Sequence, residues 1–162
     1  PIWAGQRDGL PAIRMGLAGA QQAMAAVETT FIAFLADALF HVGEDEEALQ
    51  VAADGIEKCH AIPDVYLLPE FMRLQGEVHM RAQPPRWQQA QQVLEAGLST
   101  AQAQGAWALV LRLLTSLARL EARQGLSHTH RDALQSSLQR WDDGSDLPDF
   151  RAARQALASI KA

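Results

Sequence analysis

The sequence predicts an all-α fold of about eight helices, stacked as antiparallel pairs. Three observations carry that reading. No stretch sustains apolar/polar alternation, and Ala, Leu and Gln dominate while aromatic residues make up only 6%; both favour helices over strands. Apolar residues recur at helical spacing between breaks that each carry Gly, Pro or a capping residue. Small residues also return at a near-constant interval along the chain. With 162 residues there is enough material for one domain with a substantial core.

Taken in order, Asp8 can cap a helix over Gly9–Ala26, with Pro11 tolerated in the first turn where its missing N–H costs nothing. Thr29–Val42 is a strongly apolar helix closed by Gly43. The acidic run Glu44–Glu47 opens the next helix, to His60, placing negative charge at its N-terminus. Consecutive helical residues point in different directions, so that run does not read as a metal site. Pro63 closes the unit, and Leu67–Arg81 follows with Pro69 in its first turn. Pro84-Pro85 is the sharpest break. Trp87–Gln104 ends at Gly105 and Ala106–Gln124 ends at Gly125. A polar connection at Ser127–His130 leads into Arg131–Trp141, and Asp146 with Pro148 starts a last helix to Ile160.

The helices repeat. Ala12, Ala48 and Ala90 hold one place in the second helix of successive units, at intervals of 36 and 42. Ala36, Gly76 and Ala118 hold one place in the first helix, at intervals of 40 and 42. Gly76 and Gly97 sit within apolar faces, where a small residue admits close approach of a neighbouring helix. Helix pairs repeated at this period cannot each bury an apolar face alone, so they stack into a solenoid. The register gives a single domain over 1–162, with an orphan second helix at 9–26, pairs at 29–60, 67–104 and 106–141, and a C-terminal capping helix at 146–160. Because the first unit lacks its first helix, the chain reads as a piece of a longer protein. Leu10, Ile13, Leu17, Ala20 and Met24 are then expected as an exposed apolar face, a route to homodimers through the N-terminal end.

The units resemble tetratricopeptide (TPR) repeats with long helices, best at Ile32, Leu35, Ala36, Leu39, Gly43, Ala48 and Gly55. More narrowly, Pro69-Glu70-Phe71-Met72-Arg73-Leu74-Gln75-Gly76-Glu77 resembles the P-E-L-x-R-L-x-G-E signature of a particular TPR-like region. That region lies at the C-terminus of large bacterial regulators that join a DNA-binding or nucleotide-cyclase domain to a signal-transducing ATPase module. Ser116-Leu117-Ala118-Arg119-Leu120 resembles its S-L-A-R-L, and Trp141-Asp142-Asp143-Gly144 through Pro148-Asp149-Phe150 and Ala153 resembles its closing segment. The departures are Gln75 where a TPR prefers Leu, Ala52 in place of a bulky aromatic, a turn lengthened by Pro84-Pro85-Arg86, and an insertion around Ser127–His130. The resemblance implies a non-catalytic interaction or signal-sensing module of a bacterial transcriptional regulator. Its partner would be a protein, a peptide or another domain of the parent chain. The alternative is a sensor that binds a small-molecule effector in its concave groove.

No catalytic or cofactor chemistry is legible. There is no phosphate loop, no G-x-G-x-x-G and no C-x-x-C, and no cofactor or metal is expected. His128 and His130 share a loop without a third ligand, and Asp142, Asp143 and Asp146 lack calcium-loop spacing. An enzyme with an unrecognised helical site is the least favoured reading. The net charge of −5 argues against nucleic-acid binding. No run approaches the roughly 18 apolar residues of a membrane span. Lone Cys59 suggests a reducing compartment, and with the resemblance a cytoplasmic one. Trp3, Trp87, Trp107 and Trp141 fall near helix ends and read as seam packing, with Trp3 the one expected to be exposed.

In a TPR register the first helix of each unit faces the groove at i, i+3, i+7, i+10 and i+11. This selects Asp37, Phe40 and His41; Glu70, Arg73, Glu77, Met80 and Arg81; and Arg112, Thr115, Arg119 and Arg123. Five arginines (Arg73, Arg81, Arg112, Arg119 and Arg123) face three acids there. The guanidinium fork suits carboxylates and phosphates, so the expected occupant is an acidic peptide or an anionic effector. The plainer alternative is a set of solvated charges and pairs such as Arg73–Glu77 within one helix.

Overall fold

The computed structural model describes residues 7–23, 25–61, 65–125, 129–141 and 146–160. Among them are eight α-helices and no strand. After a 3-10 turn at Arg7–Gly9 come α1 (Leu10–Ala23), α2 (Ala25–Val42), α3 (Asp45–Ala61) and α4 (Leu68–Arg81). The second half holds α5 (Trp87–Ala103), α6 (Trp107–Gln124), α7 (Thr129–Trp141) and α8 (Pro148–Ser159). Trp3, Asp142, Asp143, His128 and the side chain of Met24 lie outside the described residues. No described helix is long and apolar enough to cross a membrane.

The helix ends follow local chemistry. Gly43, Gly105 and Gly125 adopt φ of 84°, 65° and 64°, the left-handed conformation that closes α2, α5 and α6. At the first of these, Glu44 N–H reaches back to Leu39 O at 2.9 Å, satisfying a carbonyl the helix would otherwise leave unpaired. Pro69 and Pro148 occupy the first turns of α4 and α8 as expected.

Three ends differ from the sequence reading, the first being that of α1, which stops at Ala23 rather than Ala26. Helix α2 begins at Ala25 rather than Thr29, because Ala25-Ala26-Val27-Glu28 continues the helix. Glu28 then sits in the first turn, buried and paired with Lys58 of α3 at 2.5 Å. Helix α7 begins at Thr129, inside the expected Ser127–His130 connection. Buried Glu121 of α6 makes this possible by accepting the backbone N–H of His130 at 3.0 Å and that of Arg131 at 3.4 Å. A carboxylate at a helix N-terminus satisfies orphan donors and complements the dipole.

Consecutive helices pack as antiparallel neighbours, as the end-to-start contacts show. Gln104 of the α5 end donates to Val65 O just before α4, and the ring of Trp107 opening α6 packs at a tilt against that of Trp141 closing α7. In addition α2, α4, α6 and α8 pack on one another in sequence, forming an inner row. Helix α8 therefore extends that row against α6 as well as capping α7.

Five of the six repeat positions hold the seams, Gly76 among them, while Ala12 is exposed. Ala36, Ala48, Ala90 and Ala118 are all buried. A Cβ at Gly76 would meet Leu94 Cδ2 of α5 at 2.6 Å, and one at Gly55 would meet the Phe71 ring of α4 at 2.5 Å. These glycines are holes that receive a neighbour's large side chain.

Helix α1 corrects the expectation of an exposed N-terminal face. Leu10 and Ala20 are buried, and Ile13 and Leu17 are partly buried against the core. That stripe is the only one α1 can bury on α2, so it turns inward. Ala12, Met15, Ala18 and Gly19 face outward instead, with Met15 76% exposed.

Candidate functional site

The expected groove residues lie along the inner row. Seven of them, Asp37, His41, Arg73, Glu77, Arg112, Thr115 and Arg119, line one hollow of about 420 Å³ together with Ser116 of α6. Pro148, Asp149 and Ala152 of α8 complete its wall. Arg81 and Arg123 are not part of it. Arg81 turns to the end of the row, binding both carboxylate oxygens of Asp45, donating to Phe40 O at 2.7 Å and lying 3.9 Å over the Phe40 ring. Arg123 lines a neighbouring hollow with Arg119, Ala122, Ser159 and Ile160.

The floor of the groove is a chain of alternating charges linking all four inner helices. Buried Glu70 of α4 is its centre. Arg73, one turn on, donates to Glu70 through Nε at 3.0 Å and Nη2 at 2.8 Å. Arg112 of α6 donates to the same carboxylate through Nη1 at 2.8 Å and to Asp149 of α8 through Nε at 3.0 Å. Asp37 of α2 lies 3.5 Å from Arg73 Nη2. Beside this chain Ser116 donates to Glu77 at 2.6 Å, and His41 Nδ1 donates to Asp37 O at 2.8 Å.

Burial alone would raise the pKa of Glu70. The attraction and hydrogen bonds of Arg73, with those of Arg112, outweigh that and hold it below the usual glutamate value. Burial would likewise lower Arg73, but Glu70, Glu77 and Asp37 raise it further above the ordinary arginine range. Both groups are therefore charged at neutral pH.

The arginine excess expected for the groove is largely cancelled within the protein. Arg73 takes Glu70 rather than Glu77, its side chain is 12% exposed, and Arg112 is shared between Glu70 and Asp149. The guanidinium groups of Arg119 and Arg123 make no hydrogen bond or ion pair among the described residues. Asp149 and Ser116 are the groove residues that sequence reasoning missed. The signal was present in the spacing. The contacts between successive inner helices join residues 36 (Asp37–Arg73), 42 (Glu70–Arg112), 39 (Glu77–Ser116) and 37 (Arg112–Asp149) apart, matching the repeat interval.

Two further hollows adjoin the first. One of about 230 Å³ lies at the N-terminal end of α2, α4 and α6, is walled by Ala33, Phe34, Leu67 and Leu109, and shares Asp37 and Arg112 with the groove. The other is an aromatic cleft that shares Pro148 and Asp149. His130 Nδ1 lies 2.8 Å from Glu121, so this histidine serves the α6–α7 junction. No cluster of three metal-binding side chains occurs among the described residues. What the groove offers is fixed charge and hydrogen-bonding capacity beside an apolar hollow. No family model, curated protein or solved structure matches the chain.

Proposed function

We propose that the chain is a non-catalytic, TPR-like interaction module of a cytoplasmic bacterial regulator, and that it receives a peptide segment along its inner row. The observation that carries this reading is the groove itself. Four inner helices present a continuous surface with an apolar hollow around Phe34 at one end and Arg119 at the other, over a floor whose charges are mutually satisfied. Such a surface suits an extended segment with an apolar residue at one end and an acidic one at the other. Phe34, half exposed on α2, is the natural anchor. The resemblance of Pro69–Glu77 and Ser116–Leu120 to the tail of ATPase-containing regulators makes another domain of the parent chain the first partner to try.

The original set of five arginines narrows on this reading. Arg73 and Arg112 hold the floor, Arg81 holds the end of the row, and Arg119 with Arg123 remain for an anionic group. A groove of about 420 Å³ is also of small-molecule size, which supports the effector-sensor alternative. Binding of the parent's other domains and of acidic peptides to wild type, Arg119→Glu and Phe34→Ala tests the proposal. Loss of binding in both variants with the fold intact supports a peptide groove. Loss in Arg119→Glu alone, for a small anion, supports the effector reading. Unchanged affinity in both variants refutes the groove assignment.

A further inference from the structure

The aromatic cleft stands apart from the groove in its chemistry. It encloses about 250 Å³ where the start of α6, the end of α7 and the start of α8 meet. Its walls are Trp107, Trp141, Leu147, Pro148 and Phe150, with Leu111 at the base. The two indole rings lie 5.1 Å apart at 49°, so they present differently oriented faces rather than a closed stack. Trp107 is 55% exposed and Leu147 57%, so two bulky apolar side chains are left open to water side by side in one cleft.

Among the described residues one charged side chain lines the cleft, the carboxylate of Asp149. Its Oδ1 accepts Arg112 Nε at 3.0 Å from the groove side. Its other oxygen makes no hydrogen bond among the described residues. Among the described residues the lining thus combines indole rings, whose faces carry negative electrostatic potential, with a carboxylate whose cationic partner, Arg112, lies on the groove side. An anion would meet repulsion and a neutral apolar group would leave the carboxylate oxygen unserved. A cation with a hydrophobic surface satisfies both features.

The geometry points to a binding site for a small organic cation of the quaternary-ammonium class, seated in the cleft against the Trp107–Trp141 pair with Asp149 as its counter-charge. The volume suits a compact trimethylammonium headgroup. Asp149 lines both hollows, so an occupant would draw on the same carboxylate that fixes Arg112 in the groove floor.

Choline is the probe, and 3,3-dimethyl-1-butanol, its uncharged carbon isostere, is the control. Titration followed by tryptophan fluorescence and by saturation-transfer NMR should show saturable choline binding, with the isostere weaker by about tenfold, the discrimination expected of a partly desolvated cation–π site. Trp107→Ala should abolish the difference between the two probes, and Asp149→Asn should reduce it. Trp107 is mostly exposed, so its replacement leaves the fold intact, and circular dichroism checks this. Equal binding of choline and its isostere would overturn the proposal, leaving only an apolar hollow. So would no saturable binding, or choline affinity unchanged in Trp107→Ala.

Discussion

Replacing Glu70 by Ala removes the acceptor that three charge-assisted hydrogen bonds share. The cost falls unevenly on the two arginines. Arg112 is 37% exposed and keeps Asp149, so its loss is small. Arg73 is 12% exposed and is left with Asp37, at 3.5 Å, and the longer-range attraction of Glu77. A buried charge stripped of its partner costs about 3–5 kcal/mol, and that is the expected loss for Glu70→Ala. Glu70→Gln keeps the shape and one acceptor oxygen but loses the charge, so about half of that loss is expected. The double variant Glu70→Leu/Arg73→Met removes both charges and should recover most of the stability, since well-packed apolar replacements of buried pairs are often neutral. Urea unfolding at neutral pH reads the change as a shifted midpoint at constant slope. The folded-state pKa of Glu70 is depressed, so its contribution is present above its unfolded value near 4.5 and is lost as pH falls through the folded value. Wild type should therefore lose stability below pH 4.5 more steeply than Glu70→Gln. A loss under about 1 kcal/mol for Glu70→Ala would place the pair among weak surface ion pairs and refute this reasoning.

The packing makes a second, opposed pair of predictions. Gly55→Ala gains about 1 kcal/mol of helix propensity but drives a methyl into the fully buried Phe71 ring, so a net loss of about 1–2 kcal/mol is expected. Gly19→Ala meets nothing within 4 Å and should stabilise by up to about 1 kcal/mol, and thermal denaturation of both variants checks the contrast. Glu121→Ala should cost about 1–3 kcal/mol by leaving the α7 N-terminus uncapped, with hydrogen exchange accelerated at the His130 and Arg131 amides. Arg119→Glu, which breaks no pair, should leave stability within about 0.5 kcal/mol of wild type in the same urea assay.

Local rules were the legible part. Gly43, Gly105 and Gly125 announced the ends of α2, α5 and α6 because only a left-handed residue closes a helix that way. Pro69 and Pro148 announced starts. The interval between Ala36, Gly76 and Ala118 located the inner row without any knowledge of its contacts. What failed needed a third dimension. The apolar stripe of α1 looked unpartnered in a one-dimensional register, yet α2 is its neighbour and the stripe buries against it. Asp149 figured only in the resemblance of the closing segment, with no role of its own. Its role emerges only once α8 packs on α6 and brings the carboxylate to Arg112.

The ion chain explains why a strip of charge runs through the middle of an apolar repeat. Apolar faces built from Ala, Gly and Leu pack in more than one axial register, because small residues every turn leave similar holes along the helix. Directional pairs do not tolerate such a slip. Moving α6 by one turn against α4 is a shift of about 5.4 Å, which would carry Arg112 out of reach of Glu70 and leave that buried carboxylate with Arg73 alone. The same slip would separate Ser116 from Glu77. A pair of this kind adds little net stability over an apolar substitute, yet it makes each wrong register costly. The floor charges thus serve the stacking of the units, which is why they are spent inside the protein and why Arg119, outside that chain, is the arginine the groove can offer to a partner.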